Sequence, residues 1–336
     1  MSFKNFYPKQ IYYEPQALTY DLGKYLQKKY SDIPWTPIEN HNSIPCFRNQ
    51  PNTEFAKMKQ NIIVGIRKTH RYVVNHKISD YLVPYTSSGC MASCLYCYLV
   101  CNYNKCSYLR LFVNREQMLN KLIKTSRQSE TSLTFEIGSN SDLVLENTIT
   151  NNLPWTIESF AKEGQGFLTF PTKFDMINSL LSLDHKGKTI IRISVNPEEI
   201  IKKIEFGTSP LQNRIQAIND LCEADYPIGL LIAPVIIIEN WKKLYTELLD
   251  ILEHNLSEKV KKSIPIEIIF MTYSYVHKMI NSEAFPKAIN LFDKQSMTCG
   301  GRGKYYYKKD IKYNGEIFFK NEISKRLPNS KIIYIV

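Results

Sequence analysis

The chain has 336 residues, 43% of them hydrophobic, and a formal net charge of +11. That length and apolar content support a substantial core and exclude a disordered chain, while no window approaches the ~20 consecutive apolar residues of a membrane span. The start, MSFKNFYPKQIYYEP, shows no apolar run of signal-peptide length, so a cytoplasmic protein without a membrane partner is expected. In that reducing compartment the eight cysteines read as metal ligands, reactive thiols or small buried hydrophobes, not as a disulfide framework. The positive charge favours a polyanionic partner, because Lys and Arg displace counterions condensed on phosphates, and the 22 tyrosines offer faces on which bases stack. A lysine-rich genome produces similar totals.

In chain order, residues 1–78 read as a lead-in of short elements, with a helix at DLGKYLQKKY (21–30) and a strand at NIIVGI (61–66). From 79 the rhythm changes. DYLVPY (80–85) is a strand running into a cysteine-rich loop, and REQMLNKLIKTS (115–126) is an amphipathic helix. Strand-like runs follow at LTFEIGS (133–139), GFLTFPT (166–172), TIIRISVN (189–196), IGLLIAPV (228–235) and IEIIFMT (266–272). Between them lie helical stretches such as SPLQNRIQAINDLCEAD (209–225) and WKKLYTELLDILEHNL (241–256). Six near-continuous apolar strands alternating with helices predict an α/β fold with a parallel sheet over 79–294, open or curled into part of a barrel. Periodicity does not choose between these. Chemistry is expected at the carboxyl ends of the strands. Residues 295–336 hold a basic Gly/Tyr hairpin, CGGRGKYYYKKD (299–310), then a helix and a closing strand, KIIYIV (331–336).

The loop GCMASCLYCYLV (89–100) places Cys90, Cys94 and Cys97 in the pattern C-x3-C-x2-C. Structural zinc takes four ligands in two short pairs, which this loop does not supply alone, although a distant ligand would complete it. Three thiolates on a four-iron cluster leave one iron open to another molecule. Cys101 and Cys106 read as spare thiols, a second metal site or inert packing, of which packing is favoured. Arg302, Lys304, Tyr305, Lys308 and Lys309 combine phosphate-binding charge with aromatic surface, so the 299–310 hairpin is a candidate DNA contact; a solvated basic turn has the same composition. Arg67, Lys68 and Arg71 form a second, weaker patch.

A three-cysteine loop directly after a strand resembles the signature of the radical S-adenosylmethionine superfamily. More specifically, IYYEPQALTYDLGKYL, IVGIRKT, DYLVPYTSSGCMASCLYCYL, FEIGSNSDL, FPTKF, FGTSPLQNRIQAI, DYPIGLLIAPV and GKYYYKKD together resemble the spore photoproduct lyase family over essentially the whole chain. The resemblance implies a partial (βα)6 barrel, a 4Fe-4S cluster on Cys90, Cys94 and Cys97, and S-adenosyl-L-methionine. It also implies light-independent repair of DNA carrying a methylene-bridged thymine dimer, ending when a hydrogen atom returns to a thymine radical. Ser141, Lys173 and Ser194 fall on positions that hold the cofactor's polar groups, the plain alternatives being a surface charge for the lysine and turns or caps for the serines; Glu136 is a candidate acceptor from the cofactor or simply an alternating residue of its strand. Tyr96 and Tyr98 match tyrosines flanking the third cysteine, Tyr98 in the hydrogen-atom relay. An electron donor of flavodoxin or ferredoxin type, a monomeric state and a cytoplasmic or spore-core location complete the expectation.

The pattern breaks at two places in the relay. Where the family has its hydrogen-donating cysteine, this chain has Ser139, whose O–H bond is too strong to supply a hydrogen atom to a carbon radical. The hairpin, TCGGRGKY, replaces the family's arginine and tyrosine with Cys299 and Gly300. Cys299 is therefore a candidate replacement donor, with Tyr98 or Tyr305 behind it; an unreactive turn residue is the plain alternative. A related enzyme acting on a different dipyrimidine lesion or nucleic-acid substrate, and a zinc-binding nucleic-acid module without catalysis, are the competing readings.

Overall fold

Apolar runs that periodicity reads as strands become parallel ladders buried on both faces. A computed structural model describes residues 6–102 and 108–336, and these gather into two units, the second comprising Ala92–Tyr98, Lys173–Asp175 and Ile191–Val336.

In the first unit the short elements near the start pair into a sheet. Its order is Trp35–Pro37, Gln10–Tyr13, Asn61–Gly65, Leu109–Phe112 and Ser87–Ser88, parallel except for the last. A second ladder runs Val73–Val74, Tyr81–Leu82, Thr134–Glu136, Phe167–Thr172; its first pair is antiparallel and the rest parallel. The strand expected over 80–85 is confined to Tyr81–Leu82, because Pro84 has no N–H to donate, although the Val83 N–H still reaches Glu136 O at 2.8 Å. The helices Arg115–Arg127, Leu143–Thr150 and Asn152–Glu163 bury Leu122, Val144, Ile157 and Phe160. Asp142 caps the second of these by accepting from the N–H groups of Val144 and Leu145 at 3.1 and 3.2 Å. Gly166 turns the chain into Phe167–Thr172 at φ +76°, where a Cβ would stand 2.1 Å from Leu133 O, so only glycine fits.

The second unit has the parallel order Thr189–Val195, Ile228–Val235, Pro265–Phe270, Lys331–Ile335. Helices Leu211–Glu223 and Trp241–Asn255 lie over it where the sequence places them. Ile193, Leu230, Ile232, Ile266 and Ile268 are fully buried, and Arg192 meets Glu267 in a buried ion pair at 3.0 Å. The predicted hairpin forms the antiparallel sheet Thr272–Ser274, Lys304–Tyr307, Met297–Cys299, and the helix Lys309–Arg326 leads to the closing strand. Among the described residues, no helix is long and apolar enough to cross a membrane.

Candidate functional site

In the second unit the Ala92–Tyr98 part of the cysteine loop is held by hydrogen bonds to its backbone. Ser93 and Cys94 pair antiparallel with Phe206 and Glu205, and the Leu95 N–H donates to Ile204 O at 3.0 Å. The Cys97 N–H closes a tight turn on Cys94 O at 3.1 Å. From the helix Tyr275–Ala284, Asn281 Nδ2 donates to Leu95 O at 2.7 Å, and His277 Nε2 lies 3.0 Å from Cys97 O. A carbonyl only accepts, so Nε2 carries the proton; burial lowers the His277 pKa, and the neutral ring accepts from Ser274 through Nδ1 at 2.9 Å.

Beside the loop sits a charged network that the sequence did not reveal. Glu205 is buried, and its carboxylate accepts from Tyr96 OH, from Lys173 Nζ at 2.9 Å and from Asn196 Nδ2 and Arg214 Nη2, each at 2.8 Å. Burial alone would raise its pKa; the Lys173 and Arg214 charges outweigh that and bring it down to about 2. Lys173 also donates to Ser194 Oγ at 2.7 Å and Ala233 O at 2.6 Å, so its three ammonium hydrogens have protein acceptors. Ser194 passes its own proton to Ala233 O at 2.8 Å. Lys173 and Ser194 thus stand together, with Glu205 as the counterion of the lysine. Burial, followed by the charge of Glu205, pushes the Tyr96 phenol well above its ordinary pKa, so Tyr96 stays protonated as a donor to Glu205. Tyr98 is 52% exposed.

In the first unit Ser141 and Glu136 are both buried. Ser87 Oγ donates to Glu146 Oε2 at 2.7 Å; with that single proton committed, the short contact between Ser141 Oγ and Ser87 Oγ is a bond donated by Ser141. Burial raises the Glu146 pKa, while hydrogen bonds led by that of Ser87 work against it. Ser139 is half-buried. The buried Lys59 ammonium donates to Cys90 O at 2.7 Å. Arg67 does not serve the basic patch expected of it: its guanidinium turns inward to Tyr85 O at 2.8 Å and lies 3.8 Å from the Phe112 ring centre.

Of the cysteines among the described residues, Cys90, Cys94 and Cys97 are half-buried, Cys222 is buried, and Cys46, Cys101 and Cys299 are exposed. Cys101, expected as packing, is therefore a surface thiol, and Cys106 lies outside the described residues. Three half-buried thiols within eight residues are a soft donor set suited to iron–sulfur ligation. No three His, Cys, Asp or Glu side chains among the described residues are already gathered as a cage, so the fit rests on donor chemistry and a fixed loop.

Cys299 stands directly opposite Tyr305, and Tyr305 is opposite Tyr273 on its other side, so the three occupy one face of the antiparallel sheet. Gly300 N–H bonds to Lys304 O, which makes Cys299 and Tyr305 a non-hydrogen-bonded pair, the closer of the two kinds. Tyr305 packs edge-on against Phe292, with ring centres 4.6 Å apart. Tyr273 stacks on His277 at 5.1 Å and receives a bond from Asn281 at 3.0 Å, tying this row to the cysteine loop. Arg302, Lys304 and Lys309 are exposed and Lys308 half-buried around a turn in which Gly301, Arg302 and Gly303 all take positive φ.

A family model for spore photoproduct lyase matches residues 6–336. The spore photoproduct lyases of Bacillus subtilis (strain 168) and Geobacillus sp. (strain Y412MC61) are 33% and 30% identical to the chain, over 98% of it and 98% and 99% of their own lengths. A solved structure of spore photoproduct lyase complexed with dinucleoside spore photoproduct matches with a TM-score of 0.91 at 28% identity, covering 98% of this chain and 99% of that one. A mutant spore photoproduct lyase with bound AdoMet and dinucleoside spore photoproduct matches equally well. The fold class expected from the strand–helix rhythm, α/β of the partial (βα)6 barrel type, is the one this likeness shows.

Proposed function

The chain belongs to the spore photoproduct lyase family, and from that premise we propose that it is a light-independent DNA repair enzyme: a radical S-adenosylmethionine carbon–carbon lyase that returns the methylene-bridged thymine dimer to two thymines. The observation that carries this reading is the end-to-end family match combined with three half-buried thiols in the C-x3-C-x2-C loop. Cys90, Cys94 and Cys97 would hold a 4Fe-4S cluster. Bound there with one open iron, it would hold S-adenosyl-L-methionine and supply the electron that releases a deoxyadenosyl radical.

The rest of the work falls to the chain. His277 and Asn281 fix the carbonyls of Cys97 and Leu95 and so orient the cysteine loop. Glu205 accepts from Lys173 and keeps it beside Ser194; these two, with Ser141 and Glu136, are the residues assigned to the cofactor's polar groups. With serine at 139, the closing hydrogen atom is assigned to the Cys299 thiol, with Tyr305 facing it across the strands and Tyr98 as the other phenol of the relay. Arg302, Lys304, Tyr305, Lys308 and Lys309 grip DNA beside the lesion. The electron comes from a flavodoxin- or ferredoxin-like donor, and the enzyme acts as a monomer in the cytoplasm or spore core. Ser139 specifically favours one second reading, the same chemistry on a different dipyrimidine lesion.

The test is anaerobic reconstitution with iron and sulfide, followed by reduction with dithionite in the presence of S-adenosyl-L-methionine. About four irons per chain and release of methionine with 5′-deoxyadenosine are expected, both lost in Cys94→Ala. Zinc in place of iron, or an intact cofactor after reduction, would overturn the reading.

A further inference from the structure

The basic segment after Asn61–Gly65 is not used by the site described above. Between Glu54 and Asp80 the sequence contains no carboxylate, and the carboxylate of Asp80 is tied to the Thr134 N–H at 2.7 Å. Within this stretch Val73–Val74 forms the edge of its ladder, pairing among the described residues only with Tyr81–Leu82, and the two valines are 55% and 59% exposed. The hairpin is built, not loose. Asn75 N–H reaches Asp80 O and Asn75 Nδ2 reaches Ser79 Oγ, both at 2.8 Å. Tyr72 anchors its base against Tyr81 and Phe135. Lys121, from the helix Arg115–Arg127, lies 4.8 Å from the Tyr72 ring centre and donates to His70 O. Lys68, Arg71, His76 and Lys77, on either side of the valines in sequence, are exposed.

An exposed edge of β-branched residues invites pairing with other chains unless something covers or repels it. A stretch that carries exposed Lys68 and Arg71 and no carboxylate in its own sequence suits a polyanion, and two short exposed apolar side chains next to them in sequence suit sugar and base edges in a groove. We infer that this hairpin is a second DNA-contacting element, in which Lys68 and Arg71 bind backbone phosphates and Val73 and Val74 press against the groove. This rests on the DNA-repair reading and adds where duplex flanking the lesion is held.

The experiment uses the full chain and a fluorescent ~20-base-pair duplex in equilibrium titrations from 50 to 200 mM salt. Each phosphate contact contributes about 0.9 to the slope of log K against log salt, so Lys68→Ala/Arg71→Ala should lower that slope by about 2 and weaken binding at least tenfold at low salt. Val73→Ser/Val74→Ser should weaken binding several-fold with the slope unchanged. Both variants leave the buried core intact, and unchanged thermal unfolding certifies the comparison. If the native chain binds duplex and both variants match it in affinity and slope, the hairpin is not a DNA contact and the repair reading survives. If the native chain binds no DNA at all, both fall. If the valine variant instead abolishes a concentration-dependent dimer while leaving DNA binding unaltered, the edge pairs with a second copy and the inference is wrong.

Discussion

Glu205→Gln is the sharpest test of the internal network. The substitution keeps size and an acceptor oxygen but removes the charge that balances Lys173 at 2.9 Å and the fully buried Arg214 at 2.8 Å. Removing one partner of a buried pair leaves an uncompensated charge and costs about 3–5 kcal/mol. The native pKa gives a similar figure independently: a carboxyl brought from 4.5 to about 2 is worth roughly 3 kcal/mol at neutral pH. With an unfolding entropy near 2.1 cal/mol/K per residue, a cooperative 336-residue chain would lose about 4–7 °C in Tm. Because the folded-state pKa is depressed, the stabilisation is complete above about pH 5 and is lost as pH falls from about 4.5 toward 2. Calorimetry of the metal-free protein at pH 7 and pH 3 is the assay. The variant should melt well below the native chain at pH 7, and the gap should narrow at pH 3. A gap below 1 °C at pH 7, or one that widens in acid, would refute the electrostatic account.

Three further outcomes follow from local geometry. His277→Ala removes the bond to Cys97 O, so amides at 94–98 should exchange about tenfold faster in the metal-free protein, with partial recovery in His277→Gln; unchanged exchange would show that the loop holds itself. Gly301 sits at φ +87° with nothing within 4 Å of where a Cβ would stand, so Gly301→Ala should cost about 1 kcal/mol through backbone strain alone, read from urea midpoints, and an unaltered midpoint would contradict the turn geometry. Cys299→Ala should divert repair away from clean thymine toward by-products on chromatographic analysis, whereas an undiminished thymine yield would remove Cys299 from the relay.

Much of the fold was legible because local pattern and tertiary demand agree. WKKLYTELLDILEHNL and SPLQNRIQAINDLCEAD carry helical periodicity and become Trp241–Asn255 and Leu211–Glu223; IGLLIAPV is apolar throughout because Ile228–Val235 is a central parallel strand. The cysteine spacing was legible for a different reason, since C-x3-C-x2-C is a local pattern contained within eight residues. Glu205 and Arg214 were hidden because their partnership depends on segments far apart in sequence, Lys173 and Tyr96 among them; the one signal was that FGTSPLQNRIQAI, already singled out, begins next to one and contains the other. His277 and Asn281 were missed in the same way, being joined to the cysteine loop through its backbone carbonyls, and Tyr273 with them, packed on the one and bonded to the other. Arg67 shows the converse error: a cation in a basic run looks solvent-facing, yet its planar head finds carbonyls and an aromatic face inside.

The measurement closest to the central claim is turnover of dinucleoside spore photoproduct by the reconstituted, reduced enzyme in the dark, followed by mass spectrometry of the products. The account predicts thymine dinucleoside formed with consumption of S-adenosyl-L-methionine and abolished by Cys97→Ala. Cofactor cleavage that leaves the lesion intact would contradict it.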